Sequence, residues 1–193
     1  MRISNIFKDI FKGVRIEIDN SVEPFESYLV DTSIVDNCVI NYSKNGTEQI
    51  YMNIKDKYFL KPNDIIIATI PSSSTAHVGY CSSIEDKVII KKNFIVLRNP
   101  FNNDYNLEFI AEYLENFGIK DYYDNVKKNR EALTKEDVED IEIPDLDITK
   151  QDELMKAIHP INERSRLYNK LIQNDSEIKK YLMNEVINNE EWY

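Results

Sequence analysis

The sequence predicts an α+β fold: a curled, mostly antiparallel β-sheet domain over residues 1–148 and a long helical arm over residues 149–193. Three observations predict it. Short apolar or alternating runs crowd the first two thirds at close, irregular spacing, which suits a curled sheet or partial barrel rather than a doubly wound α/β fold. After Pro100 the apolar period lengthens to that of a helix. From Thr149 onward apolar residues recur at spacings of four and three, the pattern of a helix with a partner-facing seam.

Taken in order, residues 11–18 alternate apolar and charged side chains from Lys12 onward, the signature of a half-buried strand. Residues 28–30, 38–40 and 50–52 are further short strands. Between the last two stands Asn45-Gly46, a pair that favours a hairpin turn. Residues 60–68 read as a turn feeding a fully apolar strand, Ile65-Ile66-Ile67-Ala68. Residues 88–90 and 94–97 are two more strands, and Lys91-Lys92-Asn93 between them reads as a solvated hairpin tip. Leu107, Ile110, Ala111, Leu114 and Phe117 then share a helix face, and Gly118 stands where a helix would end. A short helix begins near Leu133 or Thr134, and residues 141–144 form an extended piece stopped by Pro144. In the arm, Leu154, Ile158, Ile161, Ser165, Tyr168 and Ile172 form the seam. Asp175 and Lys179 interrupt it before Leu182 and Val186 resume it. Pro160 is expected to kink this helix or mark its true start.

Composition narrows the function. With 42% hydrophobic residues, 12 Tyr and 8 Phe, the chain can bury a core. No apolar run is long enough for a membrane span, and the start carries no signal-peptide pattern, so a cytoplasmic protein with no membrane partner is expected. Cys38 and Cys81 sit among strand residues and read as buried free thiols. The net charge of −10 argues against a nucleic-acid partner, but its distribution does not. Residues 1–130 hold 16 Lys+Arg against 18 Asp+Glu, whereas residues 131–193 hold 8 against 16. The acidity belongs mainly to the last third.

Nothing in the sequence has the form of a catalytic motif. His77 and His159 are far apart, and neither has a Cys, Asp or Glu at metal-ligand spacing. Phosphate-binding glycine loops and the Gly-x-Ser-x-Gly elbow are missing, so a non-catalytic protein without a cofactor or metal is expected.

An ordered series of segments resembles the specificity subunits of type I restriction-modification systems. Leu60-Lys61-Pro62-Asn63-Asp64 followed by Ile65-Ile66-Ile67 is similar to that family's leucine, turn, Asp and apolar-strand signature. Val78-Gly79-Tyr80, residues 93–98 and Phe109-Ile110-Ala111-Glu112-Tyr113-Leu114 follow in the family's order. Leu133, Val138, Ile141-Glu142-Ile143-Pro144, Gln151 and Ile158 then resemble the run into its conserved helix. The resemblance spans about 100 residues. It departs from the family at Lys127-Lys128-Asn129-Arg130, at Asp145-Leu146-Asp147 and at Pro160.

The resemblance implies a target recognition domain and one spacer helix, half of a subunit that ordinarily carries the unit twice. It further implies double-stranded DNA as ligand and methyltransferase and restriction subunits as partners, with no chemistry of its own. A half-subunit would complete itself as a homodimer through the arm, by Leu154, Ile158, Ile161, Tyr168 and Ile172.

Two segments are candidates for DNA contact. Ser72, Ser73, Ser74, Thr75 and His77 form a polar loop directly after a buried strand, where a rigid scaffold can present base-reading side chains. Lys127, Lys128 and Arg130 offer cations for phosphates and a guanidinium for guanine. Plain solvated loops fit the same residues. An acidic regulator of a restriction complex, binding protein rather than DNA, is the competing reading.

Overall fold

The computed structural model describes residues 1–36, 38–70, 76–127 and 131–189. The fold is α+β with open mixed sheets and a long C-terminal helix, as the sequence predicts. The chain divides after Glu153 into two compact units.

Among the described residues nine strands make two sheets. They are β1 (Phe7–Lys12), β2 (Phe25–Val30), β3 (Val35–Asp36), β4 (Cys38–Ile40), β5 (Glu48–Ile50), β6 (Ile65–Ala68), β7 (Val78–Tyr80), β8 (Val88–Ile90) and β9 (Phe94–Pro100). The larger sheet has the order β1-β9-β6-β7-β4-β3 and the smaller one β5-β2-β8. Among the described strand pairs only β4–β7 and β2–β8 are parallel, so the expectation of a mostly antiparallel arrangement holds.

Strand β6 lies inside the larger sheet between β9 and β7, and every residue of it is buried. That explains its lack of alternation, since a strand covered on both faces is apolar throughout. Strand β8 uses its two faces differently. Val88 and Ile90 join a core with Val30, Leu60, Ile66, Phe94 and Val96, while Ile89 packs with Leu29 and Ile50.

The structure corrects several sequence expectations. The first strand begins at Phe7 and ends at Lys12; the alternation in residues 12–18 continues beyond it with a single parallel bridge, Val14 to Lys91. Gly13 explains the change of course. Its N–H donates to the Phe94 carbonyl (3.0 Å), and Val14 N–H donates to the Ile90 carbonyl (2.8 Å). A Cβ on Gly13 would lie 2.3 Å from the Ile90 and Lys91 carbonyl oxygens, so only glycine can make this approach. The chain then leaves the larger sheet, and Val14 and Ile16 pack against the smaller sheet's core.

Neither expected hairpin forms. Gly46 has the left-handed φ of 73° that a turn needs, but β4 and β5 belong to different sheets. Strands β8 and β9 likewise part company, and Lys91 is not a solvated tip: its ammonium pairs with Asp31 at 3.0 Å.

Gly118 does not end a helix. Helix α1 (Leu107–Tyr113) runs through a π-helical turn (Leu114–Gly118), α2 (Ile119–Tyr122) and a second π-turn (Tyr123–Lys127). Gly118 is right-handed at φ −58°, and a Cβ there would meet the Tyr113 ring at 2.9 Å. It makes room for Tyr113, which stacks on Phe117 at 6.2 Å. Helix α3 (Lys135–Asp140) opens with a capping box between Thr134 and Asp137.

The segment after α3 is tied to the beginning of the chain. Ile3 N–H donates to the Ile141 carbonyl (3.0 Å), and Ile143 N–H donates to the Met1 carbonyl (2.7 Å). Helix α4 (Ile148–Asn189) contains Pro160 without stopping at it. In its first turn Gln151 is fully buried. Its side chain accepts from Asn106 N–H (2.9 Å) and donates to the Leu146 carbonyl (2.7 Å). Asn106 in turn caps α1 by accepting from Phe109 N–H at 3.1 Å.

Candidate nucleic-acid interface

Of the candidate contact residues, Ser72, Ser73, Ser74, Thr75, Lys128 and Arg130 lie outside the described residues; His77 and Lys127 lie within them. The residues bracketing both segments are described, and they meet. Leu133, just after the basic segment, donates its N–H to the carbonyl of Thr69, just before the polar loop (2.7 Å). Thr69 N–H donates to the Asn93 carbonyl at 2.8 Å. The stems of the polar loop, the basic segment and the Lys91–Asn93 turn are thus joined through one residue. Lys92 is exposed beside this junction.

The far stem of the polar loop is held from the helix. Glu115 accepts from Val78 N–H at 2.7 Å and from the Ala76 N–H as well. Burial pushes the Glu115 carboxyl upward, while these amide donors and His77 oppose that rise. His77 is half-buried with a left-handed φ of 53°, and its carbonyl accepts from Ala68 N–H (3.1 Å). A non-glycine residue there is strained unless its neighbours fix it, and such strain gathers at functional sites. The Glu115 contact gave no sequence signal, because nothing in residues 112–116 marks one carboxylate as an anchor.

Lys127 faces inward. Its ammonium donates to the Ala132 carbonyl (2.8 Å) and pairs with Asp137, and little of the pair is exposed. Burial would raise the Asp137 carboxyl, but Lys127, Thr134 N–H and the Tyr122 hydroxyl together hold it down at about 2. Lys127 therefore ties the end of the second π-turn to α3.

The thiols are poor nucleophiles. Burial, helped by Glu112 and Glu115, pushes Cys38 far up, and burial lifts Cys81 to about 11. Among the described residues no group of three or more His, Cys, Asp or Glu is arranged to hold a metal. None of the described helices is long and apolar enough to cross a membrane.

The arm, taken by itself, exposes apolar side chains along its length. Leu154, Ile161, Tyr168 and Ile172 of the seam are exposed, and Ile158 is half-buried. Leu167, Leu171, Ile178 and Tyr181 are exposed as well and were not part of the seam. Ile178 stands inside the interruption between Asp175 and Lys179, and Tyr181 follows it.

No family model matches the sequence, and no curated protein does. Solved structures do match. The chain is similar to the HsdS subunit of Thermoanaerobacter tengcongensis, with 17% identity and a TM-score of 0.62 over 96% of this chain and 47% of that one. It is also similar to a chain from a type I R-M system whose structure addresses complex assembly and conformational transition. There the identity is 18% and the TM-score 0.61, over 97% of this chain and 47% of that one. The chain spans about half the length of these proteins and has the fold of one half of an HsdS subunit.

Proposed function

We propose that this chain is a non-catalytic DNA-recognition half-subunit of a type I restriction-modification system. In this reading residues 1–148 are a target recognition domain. The arm, residues 149–193, pairs with a second copy and docks on the methyltransferase subunit, which brings the restriction subunit to the site. The observation that carries the reading is the Thr69 junction, which gathers the stems of the polar loop and the basic segment in an HsdS-like fold. With Lys127 engaged internally, Lys128 and Arg130 become the phosphate and guanine contacts, and Ser72 to Thr75 with His77 the base readers.

Duplex binding measured at two salt concentrations tests this. A selected duplex should bind more tightly than a random one, and affinity should fall as salt rises. Replacing Lys128 and Arg130 with alanine should reduce the salt slope by roughly one for each cation withdrawn from a phosphate. Duplex binding that is absent, or indifferent to salt and to both substitutions, refutes the reading. It would leave the acidic regulator, which the net charge of −10 favours.

A further inference from the structure

A cavity of about 580 Å³ opens between β1, the segment 56–61, the end of β9 and helix α3. Its lining carries five cations, Lys8, Lys57, Lys61, Arg98 and Lys135, against three carboxylates, Asp9, Asp56 and Glu139. That is a local excess of positive charge in a chain of net charge −10.

The pairings show which charges are committed. Lys61 pairs with Asp56, Lys135 pairs with Glu139, and Arg98 is consumed by the buried Asp64 behind the wall. Asp9 accepts from the Asn99 amide. Among the described residues, Lys8 and Lys57 have no carboxylate within ion-pair distance. Both ammoniums sit on aromatic rings, Lys8 at 5.7 Å from the Phe101 centroid and Lys57 at 5.8 Å from that of Phe11. Arg98 also donates to the Lys57 carbonyl (3.0 Å), so the backbone that presents Lys57 is fixed. Asn99 in the lining has a left-handed φ of 55°, a strained backbone of the kind that collects at binding sites.

From the two uncommitted ammoniums, the half-exposed Phe101 ring and the cavity's size, we infer that this cavity binds a nucleoside monophosphate. A phosphate monoester carries about −1.5 to −2 charges at neutral pH, and with the three ion pairs closed Lys8 and Lys57 against Asp9 leave the lining a net positive charge to attract it. The volume falls within the roughly 300–1,000 Å³ of small-molecule sites. Phe101, 55% exposed, supplies a face on which a base stacks. Lys8 and Lys57 take the phosphate as point charges. Duplex DNA fits less well, because its bases are stacked inside the helix and only its phosphates are presented outward. The site goes beyond the DNA-reading function and stands or falls separately from it.

The probes are AMP, adenosine and inorganic phosphate, titrated calorimetrically into the intact protein. AMP should bind saturably, and adenosine and phosphate should each bind at least tenfold more weakly. Lys8→Glu with Lys57→Glu should abolish AMP binding, and Phe101→Ala should reduce it to the level of inorganic phosphate. All three side chains are exposed, so unchanged circular dichroism is expected. These variants should retain duplex binding, and Lys128→Ala with Arg130→Ala should retain AMP binding. No saturable AMP binding, or binding untouched by charge reversal, overturns the inference. So does equivalent displacement of AMP by duplex, which makes the cavity a backbone-phosphate contact instead.

Discussion

Removing Asp64 should be among the most damaging single changes in the sheet domain. The Arg98 guanidinium donates to both Asp64 oxygens, from Nε at 2.7 Å and Nη2 at 2.6 Å. It also donates to the Lys57 carbonyl at 3.0 Å and the Phe59 carbonyl at 2.8 Å. Asp64 is fully buried and additionally accepts from Lys61 N–H at 2.8 Å. Burial pushes the Asp64 carboxyl up while Arg98 pulls it back, so the pair contributes little net stability compared with an apolar replacement. Breaking it is a different matter. Asp64→Ala strands a buried guanidinium and should cost about 3–5 kcal/mol, a third or more of a typical stability of roughly 5–15 kcal/mol. Arg98→Met should cost a similar amount, because it leaves Asp64 and two carbonyls without their donor. The double variant should cost clearly less than the sum of the singles, by about 1–3 kcal/mol of coupling. Urea unfolding followed by circular dichroism measures all three. Additive losses, or an Asp64→Ala cost under about 1 kcal/mol, would refute the reasoning.

Three further outcomes follow from the geometry. Gly13→Ala should destabilise by roughly 3 kcal/mol or more, since the new methyl meets two carbonyl oxygens at 2.3 Å; urea titration reads it, and a near-neutral result would mean that the two sheets do not meet as described. Asp137 is held at about 2 against an ordinary 3.8, so its contribution is present above about pH 4 and is lost as pH falls toward 2. The shift alone gives an upper value near 2.5 kcal/mol, and solvent screening reduces it to about 1 kcal/mol. The stability gap between wild type and Asp137→Asn should therefore close between pH 4 and pH 2, and a constant gap would contradict the assignment. For the arm, light scattering should give twice the chain mass for the intact protein and the single mass for Tyr168→Asp with Ile172→Asp. A monomer at high concentration would defeat pairing through the arm.

The apolar runs made the central strands legible, because β6 and the buried part of β9 are covered on both faces and so lack polar residues. Their pairing was not legible. Asn45-Gly46 and Lys91-Lys92-Asn93 have the local chemistry of hairpin turns, but which sheet a strand joins depends on partners far away in sequence. Gly13 shows the limit well. Its role depends on two carbonyls of residues 90 and 91, and an isolated glycine in an alternating run reads only as a pause. In the candidate site, the polar loop and basic segment were visible as composition, and Lys127 was read as a free cation. Its partner Asp137 lies ten residues on, within a helix start already explained by its capping box, so the sequence offered no reason to join the two.

The charge distribution bears on the proposed reading of DNA by an acidic chain. Of the net −10, −8 belongs to residues 131–193 and −2 to residues 1–130. Within the last third the charge is uneven. Residues 131–148 hold 8 Asp+Glu against one Lys, a net of −7, whereas residues 149–193 hold 8 against 7 Lys+Arg, a net of −1. The arm is therefore nearly neutral, and the acidity is concentrated in the stretch that begins at Glu131, two residues before Leu133 of the Thr69 junction. At physiological salt, charges more than about 8 Å apart in solvent are largely screened from one another, and at 0.01 M that distance lengthens to about 30 Å. In the proposed reading, the carboxylates of residues 131–148 should thus oppose a duplex at the junction more strongly as salt falls, even as phosphate contacts strengthen. The salt dependence should consequently be shallower at low ionic strength than at high. Replacing the exposed Glu131 and Glu136 with glutamine should tighten duplex binding at low salt and reduce that curvature, and binding unchanged by both substitutions would refute the argument.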